Sequence, residues 1–86
     1  MLKVIIQNGK RRIEVRDYWV EKDGLIYGRN DHHDNYDATV LGEYKDEERA
    51  KEVFNKMVKF EESSAFLIKE GLGYRILSRT FEMPKE

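Results

Sequence analysis

Short apolar runs alternate with turn-forming residues through the first half of the chain, which is the pattern of antiparallel β-hairpins. Five such runs can be read from the sequence, at residues 4–6, 13–16, 18–21, 25–27 and 38–44. Asn8-Gly9 separates the first two and tolerates the positive φ angles of a type I′ turn, while Lys22-Asp23-Gly24 separates the next pair. The pattern predicts a four-stranded antiparallel meander in which one strand bends near Asp17.

The second half contains an apolar stripe at helical spacing, the strongest periodic signal in the chain. Its members are Ala50, Val53, Phe54, Met57, Val58 and Phe60. Asp46 stands where an N-cap should, and Glu47 and Glu48 follow in the first turn, where the helix dipole favours acidic side chains. The sequence therefore predicts one long amphipathic helix that packs its stripe on one face of the sheet.

Residues 61–73 are compatible with two structures. Ser63-Ser64 could end the helix, or residues 65–70 could continue it, with Gly71 as the left-handed residue after its end. We favour continuation; the alternative makes residues 65–69 a strand that turns at Gly71 or Gly73. In either case residues 74–81 are predicted to form a final strand, which Pro84 stops.

The predicted fold class is α+β: an antiparallel β-meander, one long amphipathic helix packed on it, and a short C-terminal strand. The length of 86 residues fits a single domain spanning residues 1–86. A hydrophobic fraction of 40% exceeds that of disordered chains, and no run of 18 apolar residues is present to span a membrane. We expect a cytoplasmic protein of a bacterial host, with no membrane partner.

Charge and cysteine content exclude several function classes. The net charge of -1 combines +4 over residues 1–16, -7 over residues 17–48 and +2 over residues 49–86. Because duplex nucleic-acid binders need an excess of basic residues, we expect no duplex nucleic acid as a partner. The absence of cysteine excludes disulfides, thiolate catalysis and cysteine-based metal sites. We expect no cofactor.

Two motifs carry a resemblance to a known group of proteins. Residues 41–53 read LGEYKDEERAKEV, and the chain ends in FEMPKE. They resemble small phage and prophage proteins of Firmicutes, in which a β-meander runs into an LG-Y-x-x-E-E-R-A strand–helix junction and a short strand closes with F-x-M-P. Some compact proteins of this kind are similar in design to anti-defence proteins, including sponges that sequester cyclic nucleotide signals in Thoeris and CBASS immunity. The resemblance implies a phage-encoded protein and assigns no functional residue.

The C-terminal segment suggests a ligand site. Arg75 and Arg79 lie four apart on the predicted strand and so share a face, although both could simply face water. Guanidinium groups bind phosphate and aromatic rings stack on bases. We predict a protein that sequesters an anionic, nucleotide-like signal at a subunit interface. The predicted ligand-binding residues are Arg75, Arg79, Tyr74, Phe81, Arg29 and Tyr36.

Residues 29–37 form the most polar window and contain both histidines. The composition is typical of a solvated hairpin tip, and also of partner recognition. Adjacent histidines in an extended segment point to opposite sides, so we expect no metal site. The alternative function is a protein-binding inhibitor of a host defence or replication protein, similar in strategy to an anti-CRISPR protein. Its predicted contact residues are Asp31, His32, His33, Asp34 and Asp37.

Catalysis has little support in the sequence. There is no Gly-rich phosphate loop, no nucleophile elbow and no HExxH motif, and we expect that the protein is not an enzyme. We expect a homo-oligomer, because the chain has more large apolar groups than one sheet face can bury. These groups are Trp19, Tyr18, Tyr27, Phe60, Phe66 and Leu67. Trp19 and Tyr18 are interpreted as core or interface residues.

Overall fold

The structure is a computed structural model that describes residues 2–30, 38–69 and 80–86, with the main chain alone for residues 64–69. The described elements are β1 (Leu2–Ile5), β2 (Arg12–Val15), β3 (Asp17–Val20), β4 (Leu25–Arg29), β5 (Thr39–Glu43), α1 (Glu47–Lys69) and β6 (Phe81–Glu82). The strands form two three-stranded sheets, ordered β2-β1-β6 and β3-β4-β5. Every pairing is antiparallel except the parallel pair β1 and β6. The predicted α+β class is confirmed.

The bend predicted near Asp17 divides the meander into two sheets. β2 ends at Val15, β3 begins at Asp17, and the Arg16 between them is a bend. The main-chain N–H of Arg16 donates to the carbonyl of Arg29 at 2.9 Å, which anchors the bend to β4. One continuous bent segment therefore supplies an edge strand to each sheet.

The first hairpin turn is not of type I′, which requires positive φ at both central residues. Gly9 has a φ of 76°, whereas Asn8 does not have a positive φ. The N–H of Gly9 donates to the carbonyl of Ile6 at 2.8 Å, and the N–H of Lys10 donates to Asn8 Oδ1 at 2.8 Å. The side chain of Asn8 thus closes a longer loop than the sequence predicted.

α1 begins and continues as predicted. Asp46 caps it, since Asp46 Oδ1 accepts from the N–H of Arg49 at 2.8 Å. The stripe faces inward, with Ala50, Val53 and Met57 fully buried. The helix passes Ser63 and reaches Lys69, which confirms continuation as far as that residue. Gly71 and residues 74–79 of the predicted final strand lie outside the described residues.

The core lies between the two sheets, α1 and the C-terminal segment. Its buried members are Leu2, Val4, Val15, Ile26, Leu41, Tyr44, Ala50, Val53, Met57 and Met83. β4 packs tightly against the other sheet at Gly28, where an added Cβ would lie 2.7 Å from Val15 Cγ1 of β2 and 2.9 Å from Leu41 Cδ1 of the neighbouring β5. Within the described ranges, no helix has the length and apolar content needed to cross a lipid bilayer.

Candidate functional site

Three side chains hold the C-terminal residues 84–86 through their main-chain carbonyls. Tyr44 donates to the carbonyl of residue 84 at 2.8 Å, Gln7 to that of residue 85 at 3.0 Å, and Arg49 to that of residue 86 at 2.7 Å. We call these three side chains the tail clasp. Gln7 also bonds the main chain of Glu43 in both directions, at 2.8 and 2.9 Å. The clasp therefore joins the first turn, the end of β5 and the start of α1 to the tail.

The two motifs of the resemblance supply most of this clasp. Tyr44 and Arg49 belong to the LGEYKDEERA stretch, and Pro84 belongs to FEMP. Gly42 leaves room for the Tyr44 ring, because an added Cβ would lie 2.8 Å from that ring. Burial raises the pKa of Tyr44 to about 12, although nearby Arg49 opposes the shift. Within the described residues, the motifs thus have a structural role in fastening the tail.

A second cluster lies on the side of β3-β4-β5 opposite the buried side chains of Ile26 and Leu41. A row of side chains crosses the three strands here, because Tyr27 pairs with Trp19 on β3 and with Val40 on β5. We call these three residues the aromatic face. The Trp19 and Tyr27 rings stack with centroids 5.8 Å apart and planes 18° apart. Val40 is 42% exposed. Tyr18, the neighbour of Trp19, points the other way and packs on Phe54 of α1.

Charged groups fix the indole of Trp19 within this row. Trp19 Nε1 donates to Glu21 Oε2 at 2.8 Å. The guanidinium carbon of Arg29 lies 5.7 Å from the Trp19 ring centroid, and Arg29 Nη2 pairs with Asp17 Oδ2 at 3.3 Å. Trp19 is therefore held in one orientation while remaining only half-buried.

A cleft of about 420 Å³ opens beside the stacked rings. Its lining residues are Trp19, Glu21, Lys22, Asp23, Tyr27 and Ala38. Two carboxylates and one ammonium give this lining a net negative charge. Aromatic faces and carboxylates both attract cations, so the chemistry of the cleft suits a cationic, planar group such as a guanidinium.

Of the site residues that the sequence singled out, the structure describes Arg29, which lies beside Trp19, and Phe81, which does not. Arg29 ends β4, whereas Phe81 begins β6 in the other sheet, where its ring packs on Phe60 with centroids 5.5 Å apart. The remaining predicted site residues lie outside the described ranges: Tyr74, Arg75, Arg79, Tyr36, Asp31, His32, His33, Asp34 and Asp37. In the part of the chain that is described, no group of three or more His, Asp or Glu is arranged to hold a metal ion.

Comparison with known proteins assigns no role to either region. No family model matches the chain, and no curated protein or solved structure is significantly similar to it. The cleft was not predicted from the sequence, although the facing runs YWV and LIYGR contain its two rings at paired positions. The cleft could not be predicted because the sequence does not show which side of the sheet α1 covers.

Proposed function

We propose that the chain is a non-enzymatic binding protein whose aromatic face binds a basic surface of a partner protein. The observation that carries the proposal is the cleft beside the stacked Trp19 and Tyr27, with Glu21 and Asp23 in its lining. Buried aromatic anchors supply most of the energy of protein interfaces. The two carboxylates select a partner that presents arginine or lysine there.

The charge of the segment that links β4 to β5 supports the same kind of partner. Residues 30–38 connect β4 to β5 and contain three aspartates but no lysine or arginine, so the acidic segment predicted to bind a partner is attached to this sheet. A negative field raises the association rate with a basic protein. With the resemblance to phage proteins, the partner we propose is a host defence or replication protein whose basic surface becomes blocked.

Sequestration of a nucleotide-like signal stays a prediction with less support from the described residues. Of its six predicted residues, Arg29 is already paired with Asp17 and Phe81 packs on Phe60. An anionic ligand in the cleft would also meet the carboxylates of Glu21 and Asp23. Its support comes from the stacked rings, which suit a base, and from Arg75 and Arg79.

Trp19 is the only tryptophan in the chain, so its fluorescence reports directly on the site. We expect an arginine-rich peptide to change the Trp19 emission in a saturable way, with affinity that falls as salt is added. The double variant Glu21→Gln/Asp23→Asn keeps the side-chain acceptors and should weaken binding about tenfold, which corresponds to about 1.4 kcal/mol.

A matched control separates the site from general charge. Glu14→Gln/Glu82→Gln removes two exposed carboxylates from the other sheet and should change the affinity by less than about twofold. Equal weakening by both double variants would contradict the proposed site.

A second experiment tests the alternative function with cyclic dinucleotides and ADP-ribose. If these ligands raise the melting temperature and the peptide does not bind, sequestration replaces protein binding as the function.

A further inference from the structure

The two edges of the β3-β4-β5 sheet differ in how their main-chain groups are hydrogen-bonded. At the β5 edge, the N–H of Gln7 donates to the carbonyl of Leu41 at 2.8 Å, and the Gln7 side chain bonds the main chain of Glu43. At the other edge, within the described residues, β3 has no strand beside it. The unpaired main-chain groups of such an edge are a template for another strand.

The hydrogen-bond pattern identifies which groups point outward from β3. The N–H of Glu21 donates to the carbonyl of Leu25 at 2.8 Å, and Trp19 and Asp17 lie two and four residues earlier on the same strand. In an antiparallel pair, alternate residues bond the same neighbour. The main-chain groups of Tyr18 and Val20 therefore point away from β4.

The side chains of β3 do not protect this edge. β2, an edge strand of the other sheet, exposes the charged Arg12 and Glu14, which is a common defence against edge pairing. β3 instead has its one charged residue, Asp17, at its first position and continues with Tyr18, Trp19 and Val20. Between β3 and α1 lies a groove of about 340 Å³ lined by Trp19, Val20, Lys51, Phe54 and Asn55.

We infer that β3 pairs antiparallel with β3 of a second copy across a two-fold axis. This pairing joins the β3-β4-β5 sheets of the two copies into one continuous six-stranded sheet. This inference is independent of the proposed function. The outward main-chain groups require even-numbered residues to face even-numbered residues. A register with Tyr18 opposite Tyr18 of the second copy meets that condition and sets Asp17 opposite Trp19.

Charge selects this register over its neighbours. A shift by two residues in one direction sets Asp17 opposite Asp17 of the second copy, and a shift in the other direction sets it opposite Glu21. Like charges directly opposite each other destabilise a strand pair. In the selected register, the two-fold axis is perpendicular to the sheet, so both aromatic faces lie on the same side.

Chemical cross-linking of the full chain tests whether the β3 edges of two copies lie side by side. The chain contains no cysteine, so a single Asp17→Cys substitution gives each copy one thiol. In the inferred register the two positions lie about 8 Å apart, from the strand spacing and the rise per residue, within reach of a short bismaleimide. Glu43→Cys on β5 is the matched control, because the two copies of that position lie more than about 20 Å apart. We expect rapid dimer cross-linking of the first variant only.

Sedimentation of the native chain and an edge variant tests the pairing itself. We expect a dimer at micromolar concentration, and we expect Val20→Lys to weaken dimerisation at least tenfold by introducing two lysines at the shared edge. The cross-link decides the matter if Val20→Lys fails to fold. A monomer at all concentrations up to 100 times that range, or a dimer that cross-links through Glu43→Cys instead of Asp17→Cys, would overturn the inference.

Discussion

The tail clasp and the aromatic face use the same pair of side-chain types for different purposes. In the clasp, the guanidinium carbon of Arg49 lies 5.8 Å from the ring centroid of Tyr44; in the face, that of Arg29 lies 5.7 Å from Trp19. Arg49 and Tyr44 donate to carbonyls of the chain's own tail. Trp19 donates to the side chain of Glu21 and keeps its ring half-exposed beside an open cleft.

The two regions differ in how deeply their aromatic rings are buried and in which groups their side chains hydrogen-bond. Tyr44 is 4% exposed, so its ring and hydroxyl stabilise the fold. Trp19 and Tyr27 stack outside the core cluster. Substitutions in the clasp should therefore lower the free energy of unfolding, whereas substitutions in the face should lower affinity for a partner.

The largest expected loss of stability is at Met83, the buried residue that precedes the tail held by the clasp. Met83 is 2% exposed, and Met83→Ala should lower the free energy of unfolding by about 2–4 kcal/mol, through lost burial and the cavity left behind. The neighbouring Glu82→Ala, on the exposed side of β6, should change it by less than about 0.5 kcal/mol. Urea denaturation followed by circular dichroism measures both, and similar losses would remove the basis for the comparison.

Paired hydroxyl deletions give the next largest contrast. Tyr44→Phe removes the donor to the carbonyl of residue 84 and should cost about 1–2 kcal/mol, because a part-buried acceptor loses its partner. Tyr27→Phe removes a hydroxyl from the half-exposed ring of the aromatic face and should cost less than about 0.5 kcal/mol. Thermal melts of the two variants at the same pH check this; a larger loss for Tyr27→Phe would reverse our assignment of roles.

Paired arginine substitutions should give a smaller difference. Arg49→Gln removes the guanidinium that donates twice to the carbonyl of Glu86, at 3.0 and 2.7 Å, and should cost about 1 kcal/mol. Arg29→Gln removes the cation–π contact with Trp19 and the ion pair with the exposed Asp17, both at a half-exposed site, and should cost less than Arg49→Gln at physiological salt. Chemical denaturation at two salt concentrations measures both costs. The ranking fails if Arg29→Gln is the more destabilising change.

Alkaline pH should produce the most gradual loss of stability. Burial, and then the hydrogen bond to Glu61, raises the pKa of Tyr18 above its ordinary value of 10.0; burial raises the pKa of Tyr44 to about 12. A raised pKa favours the neutral form in the folded state, so this stability is complete below pH 10 and declines as the pH rises above it. Melting temperatures from pH 8 to 12 should fall above pH 10, and less steeply for Tyr44→Phe. A stability that rises above pH 10 would contradict both shifts.

Local sequence patterns predicted the helix and the hairpins, because each depends on residues close together in the chain. Asp46 and the stripe beginning at Ala50 predicted α1, and Gly24 with its φ of 90° ends the second turn where expected. The parallel pairing of Val4 with Phe81 was not predicted, since no periodic signal links residues so far apart.

The candidate site was harder to predict than the fold. The facing positions of Trp19 and Tyr27 follow from the hairpin, but the bend at Arg16 and the position of α1 determine which side of the sheet is covered. The clasp bonds reach main-chain carbonyls, which carry no side-chain signature in the sequence. Sequence alone therefore singled out charged and aromatic residues of the C-terminal segment and the polar window, and overlooked the cleft beside Trp19.

Fluorescence of Trp19 during titration with an arginine-rich peptide tests the central claim most directly, because the one tryptophan lies in the face and the clasp can be altered separately. We predict saturable binding that weakens about tenfold in Glu21→Gln/Asp23→Asn and stays within about twofold in Tyr44→Phe, measured at a temperature where both variants are folded. An unchanged Trp19 emission, or equal weakening in the two variants, would contradict the assignment of recognition to the aromatic face and of tail fastening to the clasp.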